Sequence, residues 1–300
     1  MTPRIAVDWG TSALRLWALD AQGAQIAQRR SDQGMGRLAP EQFEQVFLDL
    51  AGDLIGGGET RVLVCGMAGA RGGWCEAPYR PVPADLGAPD ATRVACRDPR
   101  LDVRILGGLC QSDPADVMRG EETQIAGFLS KEPDFDGTLC LPGTHTKWVR
   151  VAGGMVHGFR TVMTGEIFAL LAAHSVLRAS VATDAPLCDA AFREAVRETF
   201  NQPARLTADL FSLRAQSLLH GQPPEAARSR LSAMLIGQEL AATQSDWQDR
   251  DLIIVGDDRL AALYAKALET LGKHAQTRSG SSLSLAGICA AFDSVFDTKD

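Results

Sequence analysis

The chain has 300 residues, of which 45% are hydrophobic and 22% charged, so it can bury a sizeable core, has room for about two domains and is not disordered. A formal net charge of -7 without a Lys/Arg block lacks the basic face that nucleic-acid binding needs. No apolar run approaches the roughly 18 residues of a membrane span, no signal-peptide pattern is seen, and seven scattered cysteines without a Cys-x-x-Cys pair predict reduced thiols, no zinc site and a cytoplasmic protein.

The first predicted elements form a three-stranded meander. Short apolar runs predict strands over 5–7, 14–19 and 24–28, and a glycine-bearing turn at 8–12 joins the first two. Helical spacing of apolar residues then predicts a helix over 40–55. The remaining elements of this half are strands at 61–65 and 103–106, a loop over 66–80, a surface connection over 81–100 and a helix over 117–129.

The pattern of the first half then restarts. Strands are predicted over 137–141, 147–151 and 155–160, and placing Gly10-Thr11 on Gly143-Thr144 aligns the two meanders at an offset of 133 residues. Helices are predicted near 163–178, 187–200, 207–220, 224–243, 259–271 and 282–296, with a strand over 251–255 and a short segment near His274. We therefore predict an α/β chain with domains over 1–135 and 136–281, the last helix packing on the first domain.

The turns at the tips of the two meanders are candidates for phosphate binding. Glycine lets a backbone approach a ligand closely, and exposed N–H and hydroxyl groups hold phosphate oxygens. The residues concerned are Gly10, Thr11 and Ser12 in the first turn and Gly143 and Thr144 in the second. One such turn is an ordinary hairpin, whereas two in register predict that a di- or triphosphate is gripped from both sides.

Charged residues beside these turns are candidates for metal and phosphate contacts. Asp8 follows a buried strand and suits the water shell of Mg²⁺, although an Asx turn would also explain it. Lys147, beside the second tip, suits phosphate as a point charge, or it is a solvated strand residue. Arg15 has the same two interpretations, and His145 is either a turn residue or a ligand contact.

Two adjacent glutamates near the start of the helix predicted over 117–129 are candidates for proton transfer. Phosphorylation of a hydroxyl needs a carboxylate to accept its proton. Glu121 is the first candidate, Glu122 the alternate and Asp116 the third, while favourable interaction with the helix dipole is the alternative explanation for the pair.

The loop over 65–80 is rich in glycine, arginine and aromatic residues. Arginine forks suit a carboxylate, and the rings of Trp74 or Tyr79 can cover a sugar face. A packed Ω-loop with surface arginines is the alternative.

Several long segments of the chain together form a recognisable set. They include Ala6-Val-Asp8-Trp-Gly-Thr11, Cys65-Gly-Met-Ala-Gly-Ala-Arg71, Asp116-Val-Met-Arg-Gly-Glu-Glu-Thr-Gln124, Leu141-Pro-Gly-Thr-His-Thr-Lys-Trp148, Met163-Thr-Gly-Glu166 and Leu235-Ile-Gly-Gln-Glu239. These segments resemble the 2-dehydro-3-deoxygalactonokinase family. The resemblance implies two ribonuclease-H-like lobes of the actin/hexokinase type, with mixed sheets around an interdomain cleft. It also implies transfer of the γ-phosphoryl group of ATP to the 6-hydroxyl of 2-dehydro-3-deoxy-D-galactonate in galactonate breakdown.

The resemblance also implies roles for individual residues. The first turn matches the phosphate-1 element, and the second, with Lys147, matches phosphate-2. Gly256 matches the adenosine element, where Asp257 and Asp258 depart from the usual small residues. Glu121 is the expected base, by similarity to a Gly-Glu-Glu helix start in related enzymes.

We further expect Asp8 to organise Mg²⁺-ATP. We expect Arg71, with Arg119 as second choice, to bind the substrate carboxylate, because an anionic substrate needs local positive charge in an acidic protein. We expect the sugar acid on the first lobe and the nucleotide on the second.

Other functions stay open at this point. The chain is alternatively a kinase for the gluconate epimer or another sugar acid. A phosphatase of the same fold would usually need a long basic channel, and a non-catalytic sugar sensor would usually carry a DNA-binding extension. The oligomeric state does not follow from the sequence.

Overall fold

A computed structural model of the protein describes residues 4–296. These residues form two compact units. Unit 1 comprises 4–136, 151–159 and 280–296, and unit 2 comprises 137–150 and 160–279. Within the described chain, no helix combines the length and the unbroken apolar character needed to cross a membrane.

Strands and helices alternate along much of the chain. The strands are β1 (Arg4–Trp9), β2 (Leu14–Leu19), β3 (Gln25–Ser31), β4 (Thr60–Gly66), β5 (Tyr79–Pro81), β6 (Ala84–Asp85), β7 (Ala91–Arg93), β8 (Leu101–Leu106), β9 (Gly108–Ser112), β10 (Ala115–Met118), β11 (Gly137–Leu141), β12 (Thr146–Ala152), β13 (Met155–Val162), β14 (Asp251–Gly256) and β15 (Gln276–Ser279). The helices are α1 (Phe43–Ala51), α2 (Glu121–Leu129), α3 (Thr164–His174), α4 (Arg178–Val181), α5 (Asp189–Asn201), α6 (Leu206–His220), α7 (Pro224–Ala242), α8 (Gln244–Trp247), α9 (Asp258–Thr270) and α10 (Gly280–Phe296).

Unit 1 is built on a mixed sheet with the strand order β3-β2-β1-β4-β8-β7. β1 is antiparallel to β2 and parallel to β4, with Asp8 opposite Cys65. Because side chains alternate along a strand, Val7 and Trp9 pack into the core on the side of α1, whereas Ala6 faces the core that α10 completes. The same alternation places Asp8 on the α10 side of the sheet.

A second mixed sheet, most of whose strands belong to unit 2, repeats this arrangement. Its strands follow the order β15-β14-β11-β12-β13, which matches β8-β4-β1-β2-β3 of unit 1, and β11 is parallel to β14 as β1 is to β4. The internal repeat predicted from the two meanders is therefore confirmed. Helices α5, α7 and α9 bury the apolar core of this unit.

The C-terminal helix α10 packs tightly against α2 within unit 1. A Cβ on Gly127 would overlap the carbonyl of Leu283, and a Cβ on Gly287 would overlap the carbonyl of Thr123. Because both positions are glycine, the two backbones touch, and this contact fixes the position of α2.

One predicted helix is wrong at its start. The helix predicted over 117–129 begins at Glu121, and residues 115–118 form β10, which pairs with β9 so that Met118 lies opposite Leu109. Gly120 has a φ of +101°, which no helix residue adopts, so the helix cannot extend through it. The surface connection predicted over 81–100 also contains β6 and β7. β6 pairs with β13 inside unit 1.

The helix predicted over 40–55 is α1 with a 3₁₀ turn at each end, Pro40–Gln42 and Gly52–Leu54. The short segment expected near His274 is followed by β15, which is parallel to β14. The predicted domain limits stay a prediction.

Candidate active site

Two glycines of unit 1 bring the end of β4 against the start of α2. Gly66 ends β4 with a φ of +90°, and a Cβ there would lie 2.8 Å from the Trp9 carbonyl oxygen and 3.6 Å from Asp8 Oδ1. A Cβ on Gly120 would lie 3.3 Å from Gly66 Cα. Any side chain at Gly66 would therefore collide with the backbone of β1 beside the Asp8 carboxylate, and the glycine allows β1, the end of β4 and the start of α2 to approach closely.

The two glutamates at the start of α2 differ in exposure. Glu122 is 5% exposed, and its carboxyl accepts hydrogen bonds from Gly120 N (2.6 Å) and Thr123 Oγ1 (3.0 Å). Burial, together with the nearby charge of Glu121, raises the pKa of Glu122 to about 7. Glu121 is half-buried, and its Oε2 accepts a hydrogen bond from Arg119 N (3.2 Å).

Charge effects on Cys65 reveal which carboxylates share this region. The Cys65 thiol is fully buried, and burial, followed by the charges of Asp8 and Glu122, raises its pKa well above the ordinary value. Asp8 and Glu122 thus lie close enough to the same sulfur to act on it electrostatically. Asp116, the third candidate base, accepts a hydrogen bond from Val117 N (2.8 Å) on β10.

The first hairpin presents an ion pair and an exposed tip. Arg15 donates to Asp8 Oδ2 (2.8 Å), so the guanidinium balances this carboxylate. Thr11 and Ser12 are exposed, and the tip is supported from behind because Met35 N donates to the Gly10 carbonyl (3.0 Å). The hairpin can therefore offer hydroxyl and N–H groups to a ligand from a fixed backbone.

The donor set fits a magnesium ion that is carried by a nucleotide. Among residues 4–296, no group of three or more His, Cys, Asp or Glu side chains can hold a metal by itself. Mg²⁺ in phosphate-transfer sites needs only one or two carboxylates, since phosphates and water supply its other ligands. Asp8 supplies one such carboxylate, and a side chain at Gly66 would crowd it.

Most of the loop over 65–80 is packed. Arg119 Nη2 donates to the Ala77 carbonyl (2.6 Å), and its guanidinium stacks over the Tyr79 ring at 4.3 Å. Trp74 packs against Trp9 at a ring distance of 5.8 Å and against the two phenylalanines of α1. Arg119 and Trp74 thus have packing partners within unit 1, and their contacts with substrate stay a prediction, while Arg71 in the same loop is exposed.

The second hairpin, in unit 2, is held against the start of α3. A Cβ on Gly165 would overlap the Gly143 carbonyl, and Glu166 N donates to the Thr144 carbonyl (2.9 Å). His145 Nε2 lies 2.6 Å from Glu166 Oε2, so the histidine has a partner within the turn region.

Lys147 is not the solvated strand residue of the alternative interpretation. It is only 5% exposed, and its Nζ donates to the His145 carbonyl (3.2 Å), which turns the ammonium group back towards the tip of the second hairpin.

A cavity of about 690 Å³ opens beside this hairpin within unit 2. Gly143, Thr164 and Gly165 line one part, and Asp257 lines another. A Cβ on Gly256 would lie 3.5 Å from the Pro142 carbonyl, so the end of β14 adjoins the hairpin. Asp257 caps α9 by accepting from Arg259 N (3.1 Å), which explains one of the two carboxylates that follow Gly256.

A buried carboxyl of unit 2 was not predicted as a site residue. Glu239 on α7 is 0% exposed and accepts hydrogen bonds from Trp148 Nε1 (2.7 Å), Tyr264 Oη (2.8 Å) and Thr164 Oγ1. Burial raises its pKa to about 7, although these hydrogen bonds act in the opposite direction. Two signals in the sequence point to it: a glutamate stands within an apolar stretch of α7, and the segment Leu235-Ile-Gly-Gln-Glu239 is among those that resemble the family.

Comparison of the sequence with known proteins identifies a family of sugar-acid kinases. A family model described as 2-keto-3-deoxy-galactonokinase matches residues 8–291. A protein of Rhizobium meliloti (strain 1021), named a probable 2-dehydro-3-deoxygalactonokinase, is 41% identical over 291 residues, which is 95% of each chain. The 2-dehydro-3-deoxygalactonokinase of Escherichia coli (strain K12) is 34% identical over 292 residues, covering 96% of this chain and 97% of that protein.

Solved structures extend the comparison to the fold. A crystal structure from Sinorhizobium meliloti, named as a candidate 2-dehydro-3-deoxygalactonokinase, has a TM-score of 0.91 and 40% identity, and covers 99% of this chain and 98% of that one. A ligand-bound xylulose kinase from Lactobacillus acidophilus has a TM-score of 0.51 at 12% identity, covering 100% of this chain and 91% of that one, which shows the fold alone. The predicted actin/hexokinase-type α/β fold is confirmed, and the chain belongs to the 2-keto-3-deoxy-galactonokinase family.

Proposed function

We propose that this kinase transfers the γ-phosphoryl group of ATP to the 6-hydroxyl of 2-dehydro-3-deoxy-D-galactonate, giving the 6-phosphate and ADP in galactonate breakdown. Membership of the family supports the substrate class. The observation that carries the chemistry is the placement of Asp8 and the start of α2 on either side of Gly66 in unit 1. A hydroxyl acceptor needs a carboxylate base, and this region supplies candidates at Glu121 and Glu122.

In this proposal Glu121 is the base. The substrate hydroxyl oxygen bonds to the γ-phosphorus, the bond from that phosphorus to the β–γ bridging oxygen breaks, and ADP leaves with the bridging oxygen. The hydroxyl proton passes to the Glu121 carboxylate and from there to solvent. Glu121 is favoured over Glu122 because it is half-buried, whereas Glu122 is only 5% exposed.

The nucleotide contacts are proposed on both hairpins. Gly10, Thr11 and Ser12 in unit 1, and Gly143, Thr144 and Lys147 in unit 2, would hold phosphate oxygens. The cavity beside Gly143, with Gly256 nearby, would take the nucleoside of ATP, since its volume suits a ligand of that size. Asp8 would hold Mg²⁺ through water, and the bound ion would neutralise charge on the phosphates.

The substrate carboxylate is assigned to Arg71. Arg71 is exposed, whereas the second choice, Arg119, is occupied by the Ala77 carbonyl and the Tyr79 ring. We also propose that the protein acts in the cytoplasm, on small molecules rather than nucleic acid. All seven cysteines lie within the described residues and are free thiols, which suits a reducing compartment.

Steady-state kinetics on the full chain test this assignment. ADP release should require the sugar acid and Mg²⁺, and 2-dehydro-3-deoxy-D-galactonate should be preferred over its gluconate epimer. Glu121→Gln should lower kcat by about 10²- to 10⁴-fold, and Arg71→Ala should raise KM for the sugar acid but not for ATP. Glu59→Gln, an exposed carboxylate of unit 1, is the matched control and should change neither constant.

Three results would contradict the proposal. ADP release without sugar acid would indicate a phosphatase. A loss of kcat in Glu122→Gln with normal turnover in Glu121→Gln would move the base to Glu122. An unchanged KM for the sugar acid in Arg71→Ala would remove Arg71 from the substrate site.

A further inference from the structure

The buried carboxyl of Glu239 joins four elements of unit 2 through hydrogen bonds. Oε1 accepts from Trp148 on β12, and Oε2 accepts from Thr164 on α3 and from Tyr264 on α9. All three partners are neutral donors. In its ionised form, which prevails above the pKa of about 7, the carboxyl accepts at both oxygens and donates at neither, whereas a glutamine in the same place would turn its NH₂ group towards at least one of the three donors.

This arrangement fixes the direction of a longer hydrogen-bond chain. The single hydroxyl proton of Tyr264 is donated to Glu239, so the Tyr264 oxygen is left to accept from Thr146 Oγ1, which lies 2.9 Å away. The carboxylate thus orients Thr164 directly and Thr146 through one intermediate group. Side chains in such a buried network have few alternative positions, because any change leaves a buried donor without an acceptor.

Both threonines flank the second hairpin. Thr146 starts β12, two residues after Thr144. Thr164 starts α3 and precedes Gly165, whose backbone touches the Gly143 carbonyl. Thr164, Tyr264 and Gly143 also line the 690 Å³ cavity. Glu239 itself is 0% exposed, so it cannot touch a ligand, but each of its hydroxyl partners stands beside the place proposed for one.

We propose that Glu239 is a positioning residue for the nucleotide, which holds Thr146 and Thr164 so that the Gly143-Thr144 turn and the start of α3 keep the geometry that receives phosphate oxygens. This inference rests on the proposed placement of ATP in unit 2. The rise of the carboxyl pKa to about 7 through burial supports it, because a fold keeps so costly a group only where its two acceptor oxygens are needed.

The test compares Glu239→Gln with Tyr264→Phe and with the control Glu198→Gln, an exposed carboxylate on α5 of the same unit. Kd for ATP is measured by titration calorimetry, and KM for ATP and for the sugar acid by steady-state kinetics. We expect Glu239→Gln to raise Kd and KM for ATP by about tenfold, the loss of one to two net hydrogen bonds, with KM for the sugar acid unchanged. Tyr264→Phe removes the hydroxyl that links Glu239 to Thr146 and leaves Trp148 and Thr164 bonded to the carboxyl, so it should raise both ATP constants by about threefold.

The outcomes separate this inference from the proposed function. If the wild type binds ATP but phosphorylates no sugar acid, the proposed substrate fails, and the Kd values still decide the role of Glu239. An unchanged Kd for ATP in Glu239→Gln, or equal changes in the KM values of both substrates, would overturn the inference. If Glu239→Gln does not fold, Tyr264→Phe alone decides, because it removes one hydroxyl and leaves the carboxyl in place.

Discussion

Each unit of the protein buries one glutamate whose pKa rises to about 7, and the two are held in different ways. Glu122 in unit 1 accepts hydrogen bonds from Gly120 and Thr123, its neighbours in the chain. Glu239 in unit 2 accepts hydrogen bonds from three side chains, of which the nearest in sequence is 25 residues away.

The difference indicates two kinds of task. A carboxyl held by its own helix start, as Glu122 is, has its position set by that helix alone. A carboxyl held by three other elements instead fixes those elements relative to each other. Burial raises the pKa of the carboxyl in both places, but its structural effect is local at Glu122 and spread across the unit at Glu239.

Replacement by alanine should show the largest difference in stability between the Glu122 and Glu239 sites. Glu239→Ala leaves three buried side-chain donors without an acceptor, as well as a cavity, and should lower the stability of unit 2 by about 4 kcal/mol. Glu122→Ala removes the acceptor for one backbone and one hydroxyl group, and should lower the stability of unit 1 by about 2 kcal/mol. Hydrogen–deuterium exchange on peptides of α7 and α2 measures each loss separately. A greater loss of stability in Glu122→Ala than in Glu239→Ala would contradict the view that Glu239 connects more of the structure than Glu122 does.

The pH dependence of stability should come next in size. In the unfolded chain both carboxyls lose their protons near the ordinary pKa of 4.5, whereas in the folded chain they keep them until about pH 7. The folded state thus binds more protons between these values, so stability should fall as pH rises through the window, by up to about 3 kcal/mol for each group.

Urea unfolding at a series of pH values measures this slope. Glu122→Gln and Glu239→Gln should each remove about half of the fall that the two groups together cause. Other titratable groups act on these two sites: Glu121 and Cys65 near Glu122, and Tyr264 and Cys140 near Glu239. Burial raises the pKa of both cysteines and of Tyr264 well above this window, so they do not contribute to the slope within it. A slope unaffected by both substitutions would show that neither carboxyl keeps its proton in the folded chain.

Substitutions at the glycine contacts of α2 and α7, the helices that carry the two glutamates, should cause the smallest losses of stability. Gly287→Ala would force α10 off the Thr123 carbonyl and should cost about 2 kcal/mol. Gly237→Ala on α7 would place its Cβ 3.0 Å from the Val196 carbonyl, a milder overlap that should cost about 1 kcal/mol. Thermal unfolding of the two variants checks the order. Equal shifts in Tm would mean that α10 and α7 accommodate the added methyl group at the same cost in stability.

The sequence was sufficient for features that depend on neighbouring residues. The repeated meander, the two turns and the run of helices in the second half are all present in the structure, because apolar periodicity and turn residues act over a few positions. The sequence also predicted that Glu121 and Glu122 lie near the start of a helix, although it placed that start at 117 instead of 121. The error at 117–120 arose because a positive φ at a glycine cannot be read from the residue type alone.

Tertiary structure alone decided which side chains meet across long stretches of chain. It packed the partly buried Trp74 against Trp9, directed Arg119 to the Ala77 carbonyl, and surrounded Glu239 with residues 25, 75 and 91 positions away. The physical reason is that such contacts depend on how whole elements pack, and packing is a property of shapes and volumes that no local pattern encodes. Local order came from the sequence pattern, and the burial of one carboxyl among three distant donors came from the fold.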